Sequence, residues 1–347
     1  MSSRTAQDAK TLARRYYTGQ DVYDAETRNV FFERWIYAGR ASAVSDPGSY
    51  FLCEIESESV IVLKDSYGKL RAHHNVCRHR GTRLLTEPQG QLPKSIQCPY
   101  HAWTYALDGT LIGAPFMDEV ESFCSDDYPL KSVAVAVWEG CVFICLALEP
   151  EPFEQAFATL IGKFGSWTMR ELEIAHSISY DVPANWKLIF QNYSECYHCP
   201  SLHPVLNKLT PFRNSSNNLE EGPFLGGPMR MSIDGGSMTM SGQTCAPSLG
   251  DLSGEALNCV QYYTLYPNML LSLLPDYVLI HRIERLAPDR SRVICDWLFH
   301  PAATAAPDFD PSGAIEFWSM TNEQDWGVSE LSQKGISSQA YTPGPYS

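Results

Sequence analysis

Two Cys–His pairs constrain this chain more than any other feature. Cys77-Arg78-His79 is followed, after eighteen intervening residues, by Cys98-Pro99-Tyr100-His101. Two thiols and two imidazoles in that alternation ask for a scaffold that brings two loop tips around one compact metal group. A cluster with two thiolates on one iron and two imidazoles on the other uses this donor set, and its histidines raise its potential above that of an all-thiolate cluster. Such a group accepts single electrons. Gly81, Gly90 and Gly109, with Pro88, Pro93 and Pro99, supply the turns. A zinc site also takes two cysteines and two histidines, but zinc fingers usually pair like with like instead of alternating C-x-H with C-x2-H.

The segments around these loops read as strands. Ser59 to Leu63 is an apolar β-branched run, a turn follows at Asp65 to Gly68, and a short return strand leads to Val76. Strand-like runs continue through Val133 to Leu146, and Glu149-Pro150-Glu151-Pro152 reads as a linker. Upstream, apolar residues at near-helical spacing from Asp21 to Tyr37 predict a helix ended by the turn at Asp46-Pro47-Gly48. Beyond the linker, helices are predicted over Phe153 to Met169 and from Trp186 to Cys199, the latter stopped by Pro200. Strands are predicted over Ala175 to Val182, Ala256 to Leu274, Val278 to Leu286 and Arg292 to His300, with a last helix from Pro311 to Lys334. Residues Gly222 to Gly250 show little periodicity and read as a long, mobile binding loop or lid. The divisions expected are 1–40, an N-terminal helical segment packing with the last domain, then 41–149, a small β domain, then 150–347, a mixed α and β domain.

With 347 residues, two domains are the natural prior. A net charge of −14 argues against a nucleic-acid surface. The absence of a long apolar run argues against a membrane span, and the polar start at Met1 to Lys10 makes the cytoplasm the expected compartment. Eleven cysteines read as buried thiols and metal ligands, not as a disulfide framework.

A second constellation lies in Asn192-Tyr193-Ser194-Glu195-Cys196-Tyr197-His198-Cys199-Pro200-Ser201-Leu202-His203. His198 and His203 would face apart on an unbroken helix, but a break at Pro200 lets His203 fold back. Two histidines and one carboxylate leave open positions on Fe(II). Glu195 and Asp325 are the candidates for that carboxylate, and Trp318 and Val328 give Asp325 an inward-facing stripe while Glu323 lies on the other side. Cys196 and Cys199 read as thiols lining a pocket. Cys141 and Cys145 read as core, and His73, His74, His176, His281 and His300 as structural histidines.

The runs Asn75 to Gly81, Cys98 to Tyr105 and Leu107-Asp108-Gly109 resemble the Rieske motif of ring-hydroxylating oxygenase α subunits, and the similarity spans nearly the whole chain. The resemblance implies an α+β fold class, a small all-β Rieske domain plus a helix-grip (START-like) antiparallel-sheet catalytic domain. It implies a [2Fe-2S] Rieske cluster with Cys77 and Cys98 on one iron and His79 and His101 on the other. It also implies a mononuclear Fe(II) held by His198, His203 and Asp325, with Glu195 and Asn192 among the catalytic residues. The family usually has aspartate where this chain has Glu195, bridging a Rieske histidine of one subunit to an iron histidine of the next. A glutamate can fix an imidazole in the same way.

The implied activity is that of a terminal oxygenase that uses dioxygen on a small organic substrate. Electrons come from a separate NAD(P)H-dependent flavin and iron–sulfur reductase, since this chain has no glycine-rich nucleotide fingerprint. The implied assembly is a homotrimer. Asn192 to Pro200 resembles the branch of glycine betaine, carnitine and stachydrine oxygenases, which favours hydroxylation or N-demethylation of a quaternary amine. An aromatic cage with Tyr262, Tyr263 or Phe224 would suit such a cation. The alternatives are oxidation of an aromatic acid, or a Rieske electron-transfer or inactive binding protein. Relatives usually continue into a further helix beyond Ser347, so the stability or closure of the pocket is expected to reflect its absence here.

Overall fold

The structure, a computed structural model, describes residues 9–346. The chain starts with two short helices, α1 (Arg15–Thr18) and α2 (Gln20–Glu26). The helix predicted as far as Tyr37 ends early, passing through a π turn over Thr27–Phe31 into strand β1 (Ile36–Arg40). Pairing decides this, because Ile36 and Tyr37 lie opposite Ile144 and Phe143 of a later strand and tertiary contacts override the helical spacing. Two compact units result, 9–28 with 162–346, and 29–161. By compactness the chain divides at 28/29 and 161/162, with the first segment grouped with the last.

The unit of residues 29–161 is built from small antiparallel sheets. β2 (Ser49–Ile55), β3 (Glu58–Lys64), β4 (Leu70–His74) and β5 (Gln89–Gln91) form one in the order β4-β3-β2-β5. β6 (Ser95–Gln97), β7 (Thr104–Ala106) and β8 (Leu111–Gly113) form a second. β9 (Ala134–Trp138) and β10 (Cys141–Cys145) complete a third with β1. Cys141 and Cys145 are buried in β10, as their alternation suggests. The helix predicted over Phe153 to Met169 shrinks to α3 (Phe153–Ala156) and short turns, because its aromatic residues pack inward: Phe153 and Phe157 stack at 4.2 Å and both meet Phe143.

The other unit is a six-stranded antiparallel sheet gripping a long helix. β11 (Glu173–Val182) leads to α4 (Trp186–Tyr193), α5 (Cys199–Leu202) and α6 (Pro204–Leu209). β12 (Phe224–Arg230), β13 (Cys259–Leu265), β14 (Met269–Leu273), β15 (Val278–Ala287) and β16 (Arg290–Phe299) follow in the order β11-β16-β15-β14-β13-β12. Part of the predicted loop is therefore strand β12, paired from Phe224 to Arg230 with β13. The irregular remainder buries Met231, Met238 and Leu249. The predicted helix break is also displaced: α4 ends at Tyr193, and Pro200 opens α5, where its missing N–H costs nothing.

After α7 (Pro301–Thr304), α8 (Ser312–Ile336) crosses the sheet. Ala314, Phe317 and Trp318 pack with Leu279, Cys295, Trp297 and Phe299 of β15 and β16. Buried positions 314, 317, 318, 321, 322, 329, 333 and 336 form one face at 3.6-residue spacing, and Glu323 is exposed on the other. Among the described residues, no helix is long and apolar enough to cross a membrane. Replacing the fully buried Phe317 by Ala is expected to destabilise this unit by ~3–5 kcal/mol, whereas Glu323→Ala should change it by less than about 0.5 kcal/mol. Urea unfolding of each variant, followed by intrinsic fluorescence, checks the difference.

Candidate active site and metal centres

The two Cys–His loops close by the same backbone pattern. Cys77 N donates to Thr82 O and Cys77 O accepts from Gly81 N; Cys98 N donates to Trp103 O and Cys98 O accepts from Ala102 N. In each loop the fourth residue after the cysteine is left-handed, Gly81 at φ 74° and Ala102 at φ 57°. The glycine announces this turn and the alanine does not, so only the first loop is readable from turn chemistry. Both thiols are buried, and the Tyr105 hydroxyl lies 3.3 Å from Cys77 Sγ while accepting from Arg78 N. Burial and the neighbouring Cys98 push the Cys77 thiol up against the pull of Tyr105, so a thiolate there calls for a compensating cation.

The His79 and His101 rings lie 4.7 Å apart, and His79 stacks on Trp103 at 4.9 Å. His79 Nδ1 is buried with no hydrogen-bond partner among the described residues. Such an orphan is unusual unless the atom is reserved for another bond. Two buried thiols beside two imidazoles with a free ring nitrogen therefore fit an iron–sulfur cluster.

In the other unit, ligand atoms of His198, His203 and Asp325 lie within 4.8 Å of one another. Asp325 Oδ1 is 2.8 Å from His203 Nε2 and 3.5 Å from His198 Nε2, and it accepts from Asn192 Nδ2 at 2.9 Å. Each imidazole is oriented through its other nitrogen. His198 Nδ1 lies 2.7 Å from Glu195 Oε1, and His203 Nδ1 lies 2.7 Å from Gln324 Oε1. Both Nε2 atoms are thereby left to face the carboxylate, an arrangement that fixes tautomer and basicity in a metal site. Glu195 also accepts from Tyr197 N, which ties its carboxylate to the turn carrying His198.

Electrostatics favour a cation here. Burial pushes the His198 imidazolium down, but Asp325 and Glu195 outweigh it and carry the group up to about 9. Burial likewise opposes ionisation of Asp325, yet the two histidines hold it below the usual carboxylate range. The neighbouring His281 is held down to about 4 by burial and stays neutral while meeting Asn322 Oδ1 at 3.1 Å. It is a core histidine with one partner, as its sequence context suggests.

α4 is braced so that Asn192 reaches Asp325. Asn185 caps it by accepting from Lys187 N, Asn185 N donates to Gln333 of α8, and Lys187 and Trp186 both bind Glu26. Past α4 the chain turns tightly and Cys196 and Cys199 are joined by a disulfide, with Cα atoms 5.0 Å apart. The expectation of two free thiols is corrected: the turn after Tyr193, with Cys199 N donating to Cys196 O, brings a C-x2-C pair within bonding distance.

A cavity of about 690 Å³ opens onto the triad, walled by Tyr193, Phe212, Tyr262 and Trp318. Tyr262 meets Tyr193 at 6.1 Å and Trp318 at 6.3 Å, both edge to face. Burial pushes the Tyr193 and Tyr262 phenols up, so both rings stay neutral. Of the three aromatic residues expected at a cage, Tyr262 lines the cavity, while Tyr263 and Phe224 are buried outside its lining. The far wall is the segment from Ser215 to Leu219, laid against β12. A Cβ at Gly226 would come within 2.0 Å of Tyr262 O, and one at Gly227 within 2.0 Å of Ser216 O, so this approach requires glycine. Gln324, the disulfide and this wall were not identified from sequence. Gln324 could have been found only by its place next to Asp325. Gln324→Leu is expected to lower affinity for Fe(II) by about 10–100-fold; iron retained after dialysis against a graded chelator series, measured by mass spectrometry, tests it.

Comparison with known proteins agrees with this geometry. Residues 34–124 match the Rieske [2Fe-2S] domain, and residues 169–347 match the ring hydroxylating alpha subunit (catalytic domain). The glycine betaine monooxygenase oxygenase subunit of Chromohalobacter salexigens is 31% identical over 99% of this chain and 83% of its own length. The carnitine monooxygenase oxygenase subunit of Escherichia coli K12 is 36% identical over 57% of this chain and 53% of its own. In fold, the chain is similar to a solved quaternary ammonium Rieske monooxygenase described for carnitine oxidation and inter-subunit electron transfer, with a TM-score of 0.83, 23% identity and coverage of 97% and 89%. Two metal-binding constellations, a helix-grip sheet and these matches converge: the chain belongs to the ring-hydroxylating oxygenase α-subunit family, and is a Rieske non-haem iron oxygenase that uses a [2Fe-2S] cluster and a mononuclear iron.

Proposed function

We propose that this oxygenase oxidises a small quaternary ammonium compound, hydroxylating or N-demethylating it with dioxygen and electrons from an NAD(P)H-dependent flavin and iron–sulfur reductase. The observation that carries the reading is the ring of Tyr193, Tyr262 and Trp318 beside the His198, His203 and Asp325 triad. Aromatic faces attract a trimethylammonium group that cannot hydrogen-bond, and neutral phenols keep the attraction free of acid–base competition. Similarity to the glycine betaine and carnitine oxygenase subunits supports the same class. No observation favours an aromatic acid, and a pure electron carrier has no use for the triad.

In this reading Cys77 and Cys98 hold one cluster iron and His79 and His101 the other, while His198, His203 and Asp325 hold the mononuclear iron. When bound, that iron activates dioxygen; the remaining tasks fall to side chains. Glu195 and Gln324 keep both imidazole Nε2 atoms turned inward, Asn192 keeps Asp325 in place, and the aromatic wall orients the substrate and excludes water. One C–H bond becomes C–OH, consuming dioxygen, two electrons and two protons and leaving water. Hydroxylation at an N-methyl group gives a carbinolamine that releases formaldehyde. We further read the working assembly as a homotrimer, in which Glu195, already bound to His198, also accepts from a Rieske histidine of the next subunit. Its carboxylate has lone pairs for both.

Two outcomes are expected. NADH-driven dioxygen uptake with a generic reductase should respond to trimethylammonium compounds and not to benzoate-type acids; stimulation by the acids alone would overturn the substrate class. His203→Ala should lose the mononuclear iron, measured by metal analysis, while the visible absorbance of the cluster persists. Unchanged iron content would remove His203 from the ligand set.

A further inference from the structure

The cavity holds three carboxylates in its lining, Glu195, Asp325 and Glu220, and no lysine or arginine among the described residues that line it. Two of the three are committed. Asp325 is bound by His198, His203 and Asn192, and Glu195 by His198 and the Tyr197 amide. Glu220 makes no ion pair with a described residue, and it is exposed while lining the cavity. The backbone just before it is held in place: Leu219 and Gly226 exchange both hydrogen bonds, and Asn218 N donates to Gly226 O. The one basic side chain adjoining this wall in sequence, Arg213, is exposed with its guanidinium over the Phe212 ring at 5.5 Å, and it is not part of the lining.

A bound Fe(II) would bring two positive charges against the negative charges of Asp325 and Glu195. The charge left for a substrate to meet is then that of Glu220. A zwitterion such as a betaine carries its own carboxylate, which meets no lysine or arginine among the described residues that line the cavity and shares that cavity with Glu220. Glu220 is exposed, so its repulsion of a like charge is screened and acts only at short range, and a carboxylate moved out of water needs strong donors. A monocation of the same size meets only attraction, from the aromatic wall and from Glu220.

Building on the quaternary ammonium reading above, we propose that the cavity selects monocationic substrates over zwitterionic ones: trimethylammonium compounds ending in a neutral alkyl or hydroxyalkyl group, with Glu220 as the specificity-determining residue. The chemistry is the same hydroxylation, with the same two electrons from the reductase.

The test uses matched pairs on the holoenzyme with reductase: choline against glycine betaine, and butyltrimethylammonium against 4-(trimethylammonio)butanoate. Product is measured by mass spectrometry alongside dioxygen uptake. The expected kcat/KM is at least about 10-fold higher for the cation of each pair, a ratio typical of one charge contact in a partly screened site. Glu220→Gln should shrink the ratio several-fold and Glu220→Lys should invert it, with cluster absorbance and iron content matching the parent. Equal or better turnover of the zwitterions, or a ratio unmoved by Glu220→Gln, overturns the proposal and leaves the quaternary ammonium reading intact. Turnover of aromatic acids with none of the four trimethylammonium compounds overturns that reading, and this proposal with it.

Discussion

The Asp325 carboxylate is the group on which the catalytic unit depends. It sits half-way along α8, mostly shielded from water, and a lone carboxylate in that position would carry a large desolvation cost. It stays ionised because three partners reach it from other elements: Asn192 from α4, His198 from the turn before α5, and His203 from the junction of α5 and α6. Each partner requires α8 to lie on its sheet with one face inward. The packing of Phe317 and Trp318 on β15 and β16 is therefore what makes the metal-binding geometry possible. The bond from Asn185 N to Gln333 then fixes α4 against that helix, and the pair of Lys187 with Glu26 fixes it against α2.

Beyond the triad and Glu195, the buried titratable groups around this point are held neutral. His281 and the phenols of Tyr193 and Tyr262 are neutral because burial disfavours their charged forms. In such surroundings the few ionised groups act at short range on whatever enters. One exposed glutamate, Glu220, also lines the cavity, a placement that the overall charge of −14 does not reveal.

The two candidate metal sites are built by contrasting means. The cluster loops depend on backbone geometry, each closed by the same pair of hydrogen bonds and the same left-handed residue, with buried thiols and half-buried imidazoles. The triad depends on side chains from separate elements whose orientation is set by Glu195, Gln324 and Asn192. A short contiguous loop can carry the first kind of site, whereas only a finished fold can carry the second.

That contrast explains what could be read without coordinates. Cys77, His79, Cys98 and His101 stand out because each pair lies within four residues, so spacing alone encodes the loop. His198 and His203 were visible for the same reason, and while the apolar run of β3 located a strand of the smaller unit, the runs of β11, β15, β16 and α8 located the six-stranded sheet and its long helix. Asp325 is 122 residues from His203, and no local pattern links them; family resemblance singled it out. Packing alone decided that Tyr37 belongs to a strand, that Cys196 and Cys199 are joined, that Gln324 holds His203 and that Glu220 borders the cavity. The sequence determined which donors exist and which segments are amphipathic, since both are short-range properties. Which donors meet, and which charge is left to face a substrate, was decided by tertiary structure, because distant segments are brought together by burial of apolar faces that local sequence does not pair.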